Sequence, residues 1–112
     1  MVIIELVKDP AKVFKNLTLE KMAKDKRKHV IFMTPEVFCK VFSPERLRLL
    51  MFVNKNRSAS ISDLARKLGR RFEAVHRDLM YLEGFSVVKL RRQEANRIPY
   101  VDDSIEVKMV SV

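Results

Sequence analysis

The segment from residue 59 to residue 90 constrains the fold most, because it predicts a short helix, a turn, a second helix and a strand. We expect Ser62 to cap the first helix and Asp63 to open it, near the positive end of the helix dipole. Gly69 can adopt the left-handed backbone conformation that ends a helix. Two helices in this order also occur in unrelated helical proteins. The strand that follows them makes the prediction more specific.

The second helix is predicted over about residues 72–83, with one apolar face formed by Phe72, Val75, Leu79 and Leu82. Asp78 is expected to make a structural pair inside the protein. A helix that is anchored by one face, and that presents guanidinium and imidazole groups near its N-terminus, suits the major groove of DNA. The residues predicted to contact DNA on this helix and in the turn before it are Arg70, Arg71, Glu73, Ala74, His76, Arg77 and Tyr81.

A strand is predicted next, at residues 85–92, and the alternating apolar residues at 105–110 predict its antiparallel partner. A small strand at 59–61 would complete the sheet. Between the two longer strands we expect a wing at about residues 91–103. The wing contains Arg91, Arg92 and Arg97, which are expected to bind the DNA backbone. Phosphate contacts of this kind position a protein on DNA without specifying the base sequence. Residues 43–110 are therefore predicted to form a winged helix-turn-helix domain.

The helix before this segment is predicted to begin at Ser43-Pro44-Glu45, which combines a cap, a first-turn proline and an acidic residue. Its apolar residues at 47–53 cover far more than one stripe, and such a helix has to bury two surfaces. One surface is expected to face the two following helices, and the other either residues 1–42 or a second copy of the protein. We expect a homodimer whose recognition helices lie about one DNA turn apart, roughly 34 Å.

Residues 1–42 are predicted to form an N-terminal extension of strands and helices, which dimerises or packs on that helix. Residues 2–7 and 30–32 have the β-branched, apolar character of short strands. A cap followed by proline predicts a helix over about residues 10–27. Residues 34–36 open another brief helix. The fold class expected for the whole chain is α+β, mostly helical.

Composition limits the alternatives. The chain has 112 residues, 47% hydrophobic content and a net charge of +9, an imbalance that favours polyanions such as nucleic acid or an anionic membrane surface. No apolar run approaches the roughly 20 residues needed to span a bilayer, and the N-terminal stretch lacks the basic leader of a signal peptide. A single cysteine excludes an intrachain disulfide. We therefore expect a cytoplasmic protein with no membrane partner.

Enzymatic chemistry finds little support in the sequence. It shows no carboxylate pair, no nucleophile with a base and no Walker loop, and its two glycines are too few for a phosphate-cradling loop. The two histidines and the cysteine are too scattered for a metal site. We expect no enzyme, no cofactor and no metal. The competing functions are a regulator that binds double-stranded DNA, an RNA-binding or ribosome-associated winged helix, and a protein-interaction module of the antitoxin type. RNA is disfavoured because few exposed aromatic residues could stack on bases.

Five blocks carry a family resemblance: residues 30–32 (VIF), 42–50 (FSPERLRLL), 61–70 (ISDLARKLGR), 75–79 (VHRDL) and 98–107 (IPYVDDSIEV). In this order they resemble a family of small archaeal and bacterial transcriptional regulators, more distantly similar to MarR-type winged helices. The resemblance implies a winged helix fold and DNA binding. Some members lie beside small toxin genes, which implies an antitoxin role and a toxin partner. The family pattern usually has a small or acidic capping residue at the start of the second helix, where this chain has Arg71, Phe72 and Glu73. This difference leaves the expected fold unchanged, but the base preference of the family is not carried over to this chain.

Overall fold

The computed structural model describes residues 1–9, 29–101 and 104–109, which form helices and strands in two compact units. In chain order the elements are β1 (Val2–Leu6), β2 (His29–Met33), α1 (Pro35–Val41), α2 (Pro44–Lys55), α3 (Ile61–Leu68), α4 (Phe72–Gly84), β3 (Lys89–Gln93), β4 (Asn96–Tyr100) and β5 (Ile105–Met109). The fold class is therefore α+β, as predicted. The helix predicted over residues 10–27 lies outside the described residues.

The first unit, within Met1–Lys40 and Asp103–Val112, contains a parallel three-stranded sheet. Its central strand β1 pairs with β2 on one edge and with β5 on the other. Three successive residues of β1 are buried, which is the pattern of a parallel strand that is buried on both faces. β1 and β2 confirm the strands predicted near residues 2–7 and 30–32, and α1 confirms the brief helix after them.

The position of β5 corrects one prediction. Residues 105–110 are predicted to pair antiparallel with the strand at 85–92, but β5 pairs parallel with β1, and β3 pairs antiparallel with β4. Only residues 94–95 separate β3 from β4, and so short a turn closes a hairpin with little loss of chain entropy. Ile98 of β4 is buried, so this hairpin also covers apolar surface. The alternation in β5 fits either partner and could not identify the neighbouring strand.

The start of α3 corrects two more predictions. Residues 59–61 do not form a strand, because Ile61 is already the first residue of α3. The cap is Ser60, not Ser62: the Ser60 hydroxyl accepts a hydrogen bond from Asp63 N, and Asp63 Oδ2 accepts one from Ser60 N, each at 3.2 Å. This capping box satisfies two N–H groups that no carbonyl of the helix can reach. The helix therefore begins two residues earlier than predicted.

The second unit, Val41–Asp102, places its core among α2, α3, α4 and the β3–β4 hairpin. Ser43 caps α2, as predicted, because its hydroxyl accepts a hydrogen bond from Arg46 N at 3.3 Å. β4 packs on both α2 and α3. The buried apolar side chains of this unit include Leu49, Val53, Leu64, Val75, Leu79 and Leu82 in the helices, and Val87 and Val88 between α4 and β3. Each contributes about 1.5–3 kcal/mol through burial, so the helices and the hairpin form one packed body.

Candidate nucleic-acid interface

Helices α3 and α4 are joined by a turn of Gly69, Arg70 and Arg71. Gly69 has the predicted left-handed conformation, with φ of 64°, which a residue with a Cβ adopts only with strain. Arg70 N then donates a hydrogen bond to the carbonyl of Ala65 at 3.0 Å. Glycine at position 69 therefore keeps the turn short and fixes the direction in which α4 leaves α3.

A buried carboxylate ties this turn to α2 and α4. Asp78 Oδ2 accepts a hydrogen bond from Arg70 Nη2 at 2.8 Å, and Asp78 Oδ1 accepts one from Arg46 Nε at 3.2 Å. The side chains are only 12% exposed for Asp78, 24% for Arg70 and 22% for Arg46. The predicted internal pair of Asp78 is confirmed. Arg70, which is predicted to contact DNA, is thus held inside the unit by an opposite charge.

Tyr81 belongs to the same arrangement. The guanidinium carbon of Arg46 lies 4.2 Å from the centroid of the Tyr81 ring, and the ring of Phe85 meets Tyr81 edge-on with centroids 5.3 Å apart. Both geometries are attractive, because the face of an aromatic ring is electron-rich. The structure therefore places Tyr81, another predicted DNA contact, half-buried against Arg46 of α2.

The first two turns of α4 present polar side chains to solvent. Glu73 and Arg77 are exposed, and Ala74 and His76 are half-buried. Glu73 and Arg77 are four residues apart, the spacing of a helical ion pair, yet the ion pairs among the described residues include neither. Both charges on this face are therefore available to a partner.

Phe72 departs from the predicted apolar face. Val75, Leu79 and Leu82 are completely buried, as predicted, but Phe72 is 45% exposed. Its ring stacks on the imidazole of His76, with centroids 5.7 Å apart and an angle of 26° between the planes. Phe72 is the first residue of α4, and its ring packs along the next turn of the same helix. The apolar face of α4 therefore begins at Val75.

The N-terminus of α4 lacks a side-chain cap. Its N-cap residue is Arg71, which is exposed and makes no capping hydrogen bond. The first N–H groups of a helix have no carbonyl partner within the helix, and they carry partial positive charge. An uncapped start beside an exposed guanidinium is therefore favourable for an anion such as a phosphate.

The β3–β4 hairpin sets two arginines opposite each other. Arg92 and Arg97 are partners in the antiparallel register, and both are exposed. Like charges directly opposite on neighbouring strands destabilise a hairpin, so a polyanion bound at this face would relieve a repulsion. Arg91 differs, because its Nη2 donates a hydrogen bond to the carbonyl of Arg57 at 3.1 Å. This bond ties β3 to the loop before α3.

The predicted arginines therefore fall into two groups. Four are exposed, and their side chains have no ion pair or hydrogen bond with another described residue: Arg71, Arg77, Arg92 and Arg97. The other two, Arg70 and Arg91, each have a partner within the second unit. We call the four exposed arginines the open arginines.

The capping box of α3 also lowers the pKa of the Asp63 carboxyl group. Hydrogen bonds from the backbone N–H and from the hydroxyl of Ser60 lower the pKa of the Asp63 carboxyl below its ordinary value of 3.8. The positive charges of Arg66 and Lys67 act in the same direction, and Arg66 Nη2 lies 2.7 Å from Asp63 Oδ1. The lowered pKa keeps Asp63 negative beside the positive start of α3.

The described residues include neither a group of metal ligands nor a helix that could span a membrane. In the part of the chain that the structure describes, no three His, Cys, Asp or Glu residues are grouped so that they could hold a metal ion. No described helix is long and apolar enough to cross a bilayer. The candidate site consists of two exposed regions, the start of α4 and the β3–β4 hairpin.

The chain is similar to known proteins in sequence and in fold. The model of a family described as HVO_A0114 matches residues 41–107. Among solved structures, the chain is similar to the AntR antimony-specific transcriptional repressor, with a TM-score of 0.53 and 22% sequence identity, covering 87% of this chain and 80% of that chain. At this identity the likeness concerns the fold alone. No curated protein matches the chain significantly.

Proposed function

This chain belongs to the HVO_A0114 family, and we propose that it is a transcriptional regulator that binds double-stranded DNA through a winged helix-turn-helix. In this proposal α3 and α4 are the helix-turn-helix, α4 is the recognition helix, and the β3–β4 hairpin is the wing. The observation that carries the proposal is the exposed, uncapped start of α4, with Arg71 and Arg77 on its surface. The likeness to the fold of a transcriptional repressor supports it.

The recognition helix acts through its N-terminal half, since helices of this kind bring their N-terminal residues to base edges. Arg77 can donate two hydrogen bonds to O6 and N7 of a guanine. Glu73, one turn earlier, can accept a hydrogen bond from the amino group of a cytosine. Ala74 and His76 flank them, and Arg71 binds a backbone phosphate together with the helix N-terminus. Base contacts and a phosphate contact thus come from one continuous surface.

The hairpin binds the DNA backbone. A phosphate between Arg92 and Arg97 would replace one repulsion between like charges by two charge-assisted hydrogen bonds. Contacts of this kind do not depend on base sequence. Glu94, in the turn, carries the opposite charge, so the proposed contact uses the strand side chains and not the tip.

Three predicted contacts take structural roles in this proposal. Arg70 is held by Asp78, Arg91 is held by a carbonyl of the loop before α3, and Tyr81 packs against Arg46. A guanidinium that already has a partner has fewer N–H groups left for a phosphate, and this reduces the gain. We therefore assign these residues to holding the recognition helix and the wing in place.

We also propose that the protein is a homodimer. Leu47 is 43% exposed and Met51 is 72% exposed, and they lie one turn apart on the same face of α2. Such exposed apolar neighbours are a favourable contact for a second copy, and a two-fold axis would match a palindromic operator. Light scattering should give the mass of a dimer, and Met51→Glu should weaken association while Met109→Glu does not. A parent protein that stays monomeric at high micromolar concentration would contradict this.

Binding to duplex DNA, duplex RNA and single-stranded DNA of equal length and sequence tests the proposed ligand. We expect the duplex DNA to bind most tightly, because α4 cannot enter the deep, narrow major groove of A-form RNA. Tighter binding to RNA would contradict the proposal and favour the RNA-binding or ribosome-associated alternative. The antitoxin role stays a prediction from the family resemblance, and co-purification with the product of a neighbouring gene would test it.

A further inference from the structure

Phe72 is a large apolar residue with an exposed side chain. The residue is 45% exposed at the first position of α4, so a large apolar surface faces water at the end of the helix that carries Arg71 and Arg77. Phe72 does not belong to the buried face, which begins at Val75. Its ring is nevertheless oriented, because it stacks on His76 with an angle of 26° between the planes. The structure thus holds an apolar group in one direction at the proposed DNA surface.

We propose that Phe72 determines sequence specificity by packing on the 5-methyl group of a pyrimidine in the major groove, with His76 as the residue that positions its ring. This inference rests on the proposed function, since it assumes that α4 enters that groove. Among the four bases of unmodified DNA, only thymine carries a methyl group at the major-groove edge, and phenylalanine is one of the side chains that contact it. Phe72 therefore selects thymine, while the arginines on the same helix bind guanine or phosphate.

The size of the effect follows from the buried surface. Moving one methyl group from water into contact with an apolar ring improves affinity by about fourfold. The contact involves no charge, so it contributes nothing to the release of counterions. Loss of Phe72 should therefore change base preference without changing the salt dependence of binding, which separates its role from that of the open arginines.

The test begins with a duplex that the parent protein selects from random-sequence DNA. Each thymine of that duplex is then replaced in turn by deoxyuridine, which removes the methyl group and keeps every hydrogen-bonding group. We expect one thymine in each half-site at which the replacement weakens binding about fourfold. Phe72→Ala should bind the thymine and the deoxyuridine duplexes equally, and Phe72→Leu should keep part of the difference.

Two further variants separate this role from general damage. His76→Ala should reduce the preference for thymine over deoxyuridine, because the Phe72 ring loses the group on which it stacks. Met109→Ala removes another exposed apolar side chain, in β5, and should leave the preference unchanged. Sequence-selective binding that is indifferent to every deoxyuridine replacement, or a preference that survives in Phe72→Ala, would overturn this inference alone. Failure to select any duplex would overturn the proposed function itself.

Discussion

Arg70 Nη2 lies 2.8 Å from Asp78 Oδ2. This contact joins the turn between α3 and α4 to the middle of α4. The other oxygen of the same carboxylate, Asp78 Oδ1, accepts a hydrogen bond from Arg46 Nε of α2 at 3.2 Å. One negative charge therefore holds two positive charges from different elements, in a place where all three side chains are largely buried. The orientation of α4 depends on this cluster as well as on the apolar core.

Replacing Asp78 by Asn should lower the free energy of unfolding by about 2–3 kcal/mol. Two largely buried guanidinium groups would lose the carboxylate that pairs with both of them, and breaking a buried pair from one side costs about 3–5 kcal/mol before allowance for partial exposure. Urea unfolding measures the change. Arg66→Ala is the matched control, because its pair with Asp63 is exposed and should contribute less than about 1 kcal/mol. Equal stability of the parent and Asp78→Asn would show that the cluster does not hold α4.

Much of the second unit could be predicted from sequence because its signals are local. The serine cap of α2, the glycine that ends α3 and the helical spacing of Val75, Leu79 and Leu82 all lie within a few residues of what they determine. The cap of α3 could also have been found, since Ser60 and Asp63 have the spacing of a capping box. Ser62 competed with it because Asp63, which follows Ser62 directly, is an acidic residue of the kind favoured in the first turn of a helix.

The remaining features depend on contacts between distant parts of the chain. The alternating pattern of β5 is the same whichever strand it joins, so its pairing with β1 follows only from tertiary structure. Phe72 fits the helical period of the buried face, yet the core does not extend to the first residue of α4. The carbonyl of Arg57 that holds Arg91 is a backbone group, and no side chain marks it in the sequence.

Replacing Glu94 by Gly should raise the free energy of unfolding by about 0.5–1 kcal/mol. Glu94 has φ of 57° in the turn of the hairpin, a conformation that costs an L-residue about 1–2 kcal/mol and glycine much less. The greater freedom of glycine in the unfolded chain offsets part of the gain. Thermal unfolding measures the effect. Glu94→Ala removes the same charge and keeps the strain, so it should not be stabilised, and an equal gain in both variants would rule out backbone strain as the cause.

The contribution of Asp63 to stability should disappear in acid. Its pKa is lowered in the folded chain, mainly by the hydrogen bonds from Ser60, so the folded state favours the charged carboxylate. The contribution is therefore complete above the unfolded pKa, near 3.8, and is lost as the pH falls through the lower folded value. The difference in stability between the parent and Asp63→Ala should shrink below this pH. A difference that stays constant down to about pH 2 would contradict the capping role of the charge.

Arg77→Ala and Arg97→Ala should weaken DNA binding in different ways. Loss of a bidentate contact between Arg77 and guanine should cost about 1–3 kcal/mol on the preferred site and change the preferred sequence. Loss of Arg97 should weaken binding to all sequences alike, because a phosphate contact carries no sequence information. Fluorescence anisotropy on selected and scrambled duplexes distinguishes the two outcomes. If both variants bind like the parent, the assignments of the recognition helix and the wing are wrong.

The dependence of DNA affinity on salt concentration tests the central claim most directly. If the open arginines Arg71, Arg92 and Arg97 neutralise phosphates while Arg77 contacts a guanine, the logarithm of the binding constant should fall against the logarithm of salt concentration with a slope of about −3 for each protomer. The double variant Arg92→Ala with Arg97→Ala should reduce the slope to about −1. A binding constant that does not change between low and physiological salt would contradict DNA binding through this surface.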